Sequence, residues 1–302
     1  MLIDHATAGL TVVVDQRYVH PIVSLGWRQA LIADGRELRA SFEQVILRNP
    51  SLHDALSFDW EIDDGADILT ALLPQHSAGQ WVQELLGTAR RGGVRHPVAS
   101  VVGSGAAAES MRRAWLAIPH LPTEEPRPFP PFMTQARAGG STTVTVTARD
   151  PVDRWGSAAT ALAAHLVQTQ LPLLGSGAFT PETVRMMRHL HEAVPAVSWQ
   201  IRSAKRRGLL LLESALRELG AQRRSRDPAA IVVAGAEIEN EMRDHRRSPV
   251  QFARALTRYS AMGWGVELVR DPAAELNGAT TEAVDAAYLA LLRPLAEVLG
   301  QT

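Results

Sequence analysis

The sequence predicts an α/β protein of the α+β kind, with a small N-terminal sheet followed by a two-part mixed-sheet core and flanking helices. Runs such as Leu-Thr-Val-Val-Val (10–14) and Ser-Thr-Thr-Val-Thr-Val-Thr (141–147) are rich in β-branched residues and alternate with stretches of helical periodicity. Apolar residues make up 46% of the 302, enough to build real cores. Six prolines between Pro119 and Pro131 leave no room for a regular element, so the chain divides there.

Taken in order, residues 10–14, 30–33 and 42–47 read as strands, the second leading into the turn pair Asp34-Gly35. Ser77 is an N-cap for a helix that places Trp81, Leu85 and Leu86 on one face and stops at Gly92-Gly93. Residues 98–102 form a strand, Gly103-Ser104-Gly105 a turn, and the alanine-rich stretch after it a helix. Beyond the prolines, 141–147 alternates valine with threonine and reads as a half-buried strand. Thr180 as N-cap, Pro181 and Glu182 announce a helix through Val194. Residues 196–202 and 208–213 read as two strands joined by the basic turn 203–207. A strand at 230–234, a helix over 237–245, a helix from Ser248-Pro249 through Tyr259, a strand at 265–269 and a closing helix over 281–299 complete the pattern. The expected parts are 1–118, a proline-rich linker at 119–131, a β-rich segment at 132–224, and a C-terminal α/β segment at 225–302.

Composition narrows the chemistry. With no cysteine there is no disulfide, thiolate metal site or thiol nucleophile, so any metal must be held by imidazole or carboxylate. A net charge of −1 gives no field to attract nucleic acid or an anionic membrane. No apolar run approaches the length of a membrane span, and the opening MLIDHATAGL lacks the form of an export signal, so the cytoplasm is the expected compartment. Of 31 basic residues only Lys205 is a lysine, the residue that usually serves phosphate as a point charge.

Four stretches, DGRELRASFEQVILRNP (34–50), GVRHPVASVV (93–102), PFMTQARAGGSTTVTVTA (131–148) and AVSWQIRSAKRRGLLLLESA (196–215), follow one another in an informative order. Together they resemble the ATP-grasp superfamily, in particular its peptide-maturing and glutathione-type carboxylate–amine ligases. The resemblance covers roughly residues 30–220. It implies ATP and magnesium as cofactors, Gln135 beside the adenine, Arg137, Arg202 and Lys205 at the phosphates, and Glu213 as metal ligand. Strands 141–147 and the hairpin around Lys205 would then face each other across a nucleotide cleft. The chain departs from the family pattern at Ala215, where an asparagine belongs, at Gln200, where an aspartate belongs, and in lacking the lysines of the first subdomain. These departures imply a ligase with impaired catalysis or a relative that retains only nucleotide or peptide binding.

Other constellations stay open beside it. Gly103 and Gly105 fit G-x-G-x-x-A between a strand and a helix, the fingerprint of a Rossmann-type dinucleotide enzyme, a motif that is weak by itself and that an unspecialised glycine turn before an alanine-rich helix also explains. Glu237, Glu241 and His245 share a helical face and form either a metal set or a solvated charged face. His189 and His191, two apart on the expected helix, point to different faces. Ser104, His165 and Asp153 compose a triad on paper without the nucleophile-elbow context. The seven tryptophans are dispersed as packing residues, with Trp155 and Trp264 as groove candidates. A further class is a non-catalytic protein that recognises a peptide substrate or a protein partner through a sheet edge and the proline segment.

Overall fold

The computed structural model describes residues 2–7, 9–18, 20–28, 40, 43, 44, 47, 48, 55, 57–63, 66–91, 97–117, 129–138, 141–149, 158–174, 184–191, 194–203, 218, 221, 224–261 and 266–299. In chain order the strands and helices are β1 (Leu2–Thr7), β2 (Leu10–Val14), β3 (Ile22–Arg28), β4 (Ser57–Asp63), β5 (Ala66–Leu72), α1 (Ala78–Arg91), β6 (Val98–Gly103) and α2 (Gly105–Leu116). They continue with β7 (Phe132–Ala138), β8 (Ser141–Arg149), α3 (Ala158–Leu174), β9 (Val184–His191), β10 (Val194–Ser203) and α4 (Pro228–Arg247). The C-terminal helices are α5 (Pro249–Ala261), α6 (Glu267–Arg270), α7 (Pro272–Asn277) and α8 (Thr281–Leu299). Two compact units result: Met1–Glu125 with Arg243–Val269, and Pro126–Met242 with Arg270–Thr302.

The first unit is built on a six-stranded sheet in the order β1-β2-β6-β3-β5-β4. Strand alternation sorts its side chains onto two faces. Leu10, Val12, Val23, Leu25, Trp27, Leu69, Ala71, Ala99 and Val101 form one core with Trp81, Val82, Leu85 and Leu86 of α1 and Met111 and Trp115 of α2. Truncating a fully buried leucine such as Leu85 costs about 2–5 kcal/mol in such a setting. The opposite face is covered by α5, which runs over β3, β5 and β6. Gly9 joins β1 to β2 at φ 81°, where a side chain would be strained and would meet the Trp115 ring at 3.2 Å.

The second unit holds a four-stranded antiparallel sheet, β7-β8-β10-β9. Along β8 and β10 apolar positions (Val144, Val146, Val197, Trp199, Ile201) alternate with hydroxyl positions (Thr145, Thr147, Ser198), and the Thr147 and Ser198 hydroxyls pair at 2.7 Å in the interior. Helices α3 and α8 pack together. The Tyr288 hydroxyl donates to Gln170 Oε1 at 3.3 Å. The buried Asp285 carboxylate accepts from the Ser225 hydroxyl at 2.7 Å and from Arg226 Nε at 2.8 Å, tying the 3-10 turn Arg224–Arg226 to α8.

Strands 10–14, 98–102, 141–147 and 196–202 and the helices starting after Ser77, Ser104, Ser248 and Thr280 stand as expected. Four expectations are overturned. Residues 43, 44 and 47 are helical, not part of a strand. The helix expected after Thr180 is β9, held by an eight-residue antiparallel ladder to β10. Residues 230–234 lie inside the 20-residue α4, whose first turn is capped by the Asp227 carboxylate accepting the Ala229 N–H at 2.9 Å. Residues 267–269 belong to α6, a helical turn. The expected strands 30–33 and 208–213 lie outside the described residues.

Candidate functional site

The β6 to α2 turn is the first place where the sequence suggested chemistry. Ser104 caps α2, its Oγ accepting the Ala107 N–H at 3.4 Å and a bond from Gln75 Nε2 at 3.3 Å. Gly103 is a packing glycine: a Cβ there would stand 2.9 Å from the Pro21 Cβ. Asp15 follows β2, and its backbone N–H donates to the Gly103 carbonyl at 2.9 Å. The Arg17 side chain holds the Asp15 carboxylate through bonds of 3.0 and 2.6 Å, which lowers the Asp15 pKa to about 2 from 3.8. Among the described residues β6 is parallel only to β2 and antiparallel to β3, and the next strand after α2, β7, belongs to the other sheet. A dinucleotide fold needs a parallel strand after that helix, so Gly103 and Gly105 do not begin a Rossmann unit.

Beneath α5 the first sheet carries a polar row that no sequence motif announced. Thr11, Ser100, Ser24, Thr70 and Asp59 are register partners across β2, β6, β3, β5 and β4. The Ser24 and Thr70 hydroxyls pair at 3.1 Å, and Thr257 of α5 donates to the Ser24 carbonyl at 3.2 Å. Arg254, whose side chain is 12% exposed, reaches Thr70 Oγ1 at 3.3 Å and Asp59 Oδ2 at 2.6 Å; Arg258 reaches Glu61 Oε1 at 2.7 Å. The Ser100 hydroxyl is fully buried and has no hydrogen-bond partner among the described residues. These arginine–carboxylate bonds fasten α5 to the sheet.

In the second unit, Gln135 and Arg137 lie on β7, and Gln135 is exposed. Arg202 lies near the end of β10, exposed, in register with Thr143 of β8. β8 and β10 are hydrogen-bonded neighbours in one sheet, and β8 separates Gln135 from Arg202, so these strands do not face each other across a cleft. Lys205, Glu213, Asp153, Trp155 and Trp264 lie outside the described residues. Trp27, Trp81, Trp115 and Trp199 are buried packing residues.

Remaining constellations resolve into structural contacts. His165 Nε2 lies 2.6 Å from Glu237 Oε2, joining α3 to α4, and Ser104 is engaged as a helix cap. Among the described residues no group of three or more histidines and carboxylates is placed to hold a metal ion, which removes Glu237, Glu241 and His245 as a set. His189 and His191 sit at positions of equal parity on a strand, not on different faces of a helix.

No family model and no curated protein matches the sequence. Solved structures do match. The chain superposes on the periplasmic protease PqqL from Escherichia coli with TM-score 0.56 at 10% identity, over 94% of this chain and 43% of that one. It superposes on a putative M16-like peptidase from Alicyclobacillus acidocaldarius with TM-score 0.55 at 12% identity, over 95% and 94% of the two chains. A peptidase M16 inactive domain from Pseudomonas fluorescens gives TM-score 0.52 at 11% identity, over 95% and 94%. The chain therefore spans under half of PqqL and nearly all of the other two. These neighbours overturn the ATP-grasp resemblance, and with it the ligase reaction and the ATP and magnesium it implied.

Zinc peptidases of the paired-histidine type set two imidazoles four residues apart on a helix, as H-x-x-E-H or H-E-x-x-H, so that both reach one ion. The ten histidines here stand at 5, 20, 53, 76, 96, 120, 165, 189, 191 and 245, and no two are four apart. With no cysteine to substitute, the donor set does not fit that centre. No helix among the described residues is long and apolar enough to cross a membrane. The chain is a mixed α/β protein with the fold of M16-like peptidases, and its sequence holds no two histidines four residues apart.

Proposed function

We propose that this chain is a non-catalytic protein that binds extended polypeptide on an M16-like peptidase fold. One observation carries the reading: a chain with that fold along nearly its whole length has no two histidines at the spacing a zinc peptidase helix needs. The match to a domain described as inactive supports it. So does the organisation of both units, in which polar side chains are spent on caps, clasps and hydroxyl pairs. A fold that accommodates peptide substrates in its active relatives retains sheet edges able to hold one when the chemistry is gone. Absence of cysteine makes folding independent of redox poise, which suits the cytoplasm and equally the periplasm, where PqqL works.

The test is to incubate the purified chain with zinc and fluorescein-labelled, unfolded casein. Saturable binding without cleavage and without stoichiometric zinc is expected. Cleavage that a chelator abolishes would remove the proposal.

A further inference from the structure

Among the described residues each sheet ends in two outer strands, and natural proteins guard such strands with bulges, charge or proline because their free N–H and C=O groups recruit other chains. Three of the four carry such guards. β1 shifts its register against β2 between Asp4 and Thr7. β4 carries Asp59, Glu61 and Asp63 at alternate positions, the first two clasped by Arg254 and Arg258. β9 carries Arg185, Arg188, His189 and His191. β7 differs: it has neither proline nor acidic residue, one basic residue, Arg137, and an unbroken ladder to β8 from Phe132 opposite Thr147 to Ala138 opposite Ser141. Thr134, Gln135 and Ala136 are all exposed. Successive strand residues point to opposite faces, so exposure of three in a row opens both faces and the rim of β7 to solvent.

We propose that β7 is the docking edge, taking an extended polypeptide segment as a fifth strand of the second sheet. This rests on the polypeptide-binding reading and specifies its site. The chemistry selects the occupant: a row of outward N–H and C=O groups at strand spacing is matched only by another extended backbone. A strand whose single charge is positive favours a segment that is uncharged or carries a carboxylate.

The experiment uses the full chain, fluorescence anisotropy, and two probes: a labelled peptide of alternating threonine and valine with one glutamate, and unfolded casein. Neighbouring residues on an outer strand send their N–H groups alternately inward and outward, so one of Gln135→Pro and Ala136→Pro leaves the ladder to β8 intact and melts like the wild type. That variant should bind the peptide roughly tenfold or more weakly, since one backbone acceptor of the peptide is left unmatched and the ring blocks approach. Ala136→Glu changes no backbone group and should weaken binding in the same direction, by repelling the glutamate of the peptide, if both proline variants unfold. Undiminished binding by the folded variants overturns the β7 assignment and leaves polypeptide binding standing. Failure of the wild type to bind either probe overturns both. A wild-type dimer in sedimentation that the same substitutions dissolve shows a second copy on β7 and overturns the proposed occupant.

Discussion

Removing the Ser100 hydroxyl should make this protein more stable. Ser100 sits at the centre of the first sheet, fully buried, between Thr11 on β2 and Ser24 on β3, and its Oγ has no partner among the described residues. Ser24, its neighbour in register, is committed to Thr70 at 3.1 Å. A buried hydroxyl without a hydrogen bond costs about 1–3 kcal/mol by mutational series, and alanine fills nearly the same volume. Ser100→Ala should therefore gain roughly 1 kcal/mol, raising the melting midpoint by roughly 2–4 °C for a unit of this size. Ser24→Ala is the opposite case: it breaks a formed pair and should lose roughly 1 kcal/mol. Urea denaturation followed by tryptophan fluorescence reads both, because Trp27, Trp81 and Trp115 lie in the core on the other face of the same sheet. A Ser100→Ala variant as destabilised as Ser24→Ala would refute the reasoning.

The clasp under α5 and the turn at Asp15 are open to similar tests. Arg254→Ala should cost about 2 kcal/mol, between an exposed ion pair and a buried one, because the arginine is largely enclosed while Asp59 is 68% exposed and stays solvated when left alone. Arg254→Lys should recover only part of this, since an ammonium cannot reach Thr70 and Asp59 together as the fork does. Asp15 has its pKa lowered from 3.8 to about 2 by Arg17, so its stabilising effect is complete above 3.8 and fades as pH falls toward 2. Melting curves of wild type and Asp15→Asn should accordingly differ at neutral pH and converge across that window; a constant gap would contradict the assignment.

The elements that could be read from sequence are those set by neighbours along the chain. Ser77 ahead of α1, the Gly103-Ser104-Gly105 turn ahead of α2 and the valine–threonine alternation of β8 are local signals, and the structure honours them. β9 was obscured because Thr180, Pro181 and Glu182 imitate a helix start, while the sequence VRMMRHLH has little β-branching. Its strand form comes from the ladder to β10, a tertiary interaction no window detects. The opposite error arose at Ile231-Val-Val, where β-branched residues sit in a helix that proline and a capping aspartate start on their own. The Asp-Gly pair at 64–65 between β4 and β5 was a hairpin signal in plain view. The polar row was invisible for a different reason. Arg254 and Asp59 are 195 residues apart, and Ser100, Ser24 and Thr70 line up only once strand order is known. For the site, the informative signal was negative, the spacing of ten histidines.

The central claim, a peptidase fold that holds polypeptide without cutting it, is tested most directly by one assay. The chain is stripped of metal, reloaded with zinc, and mixed with labelled unfolded casein while anisotropy and fragment release are followed together. The account predicts a rise in anisotropy, intact casein, and less than stoichiometric zinc after desalting; fragments that appear with zinc and vanish with chelator would contradict it.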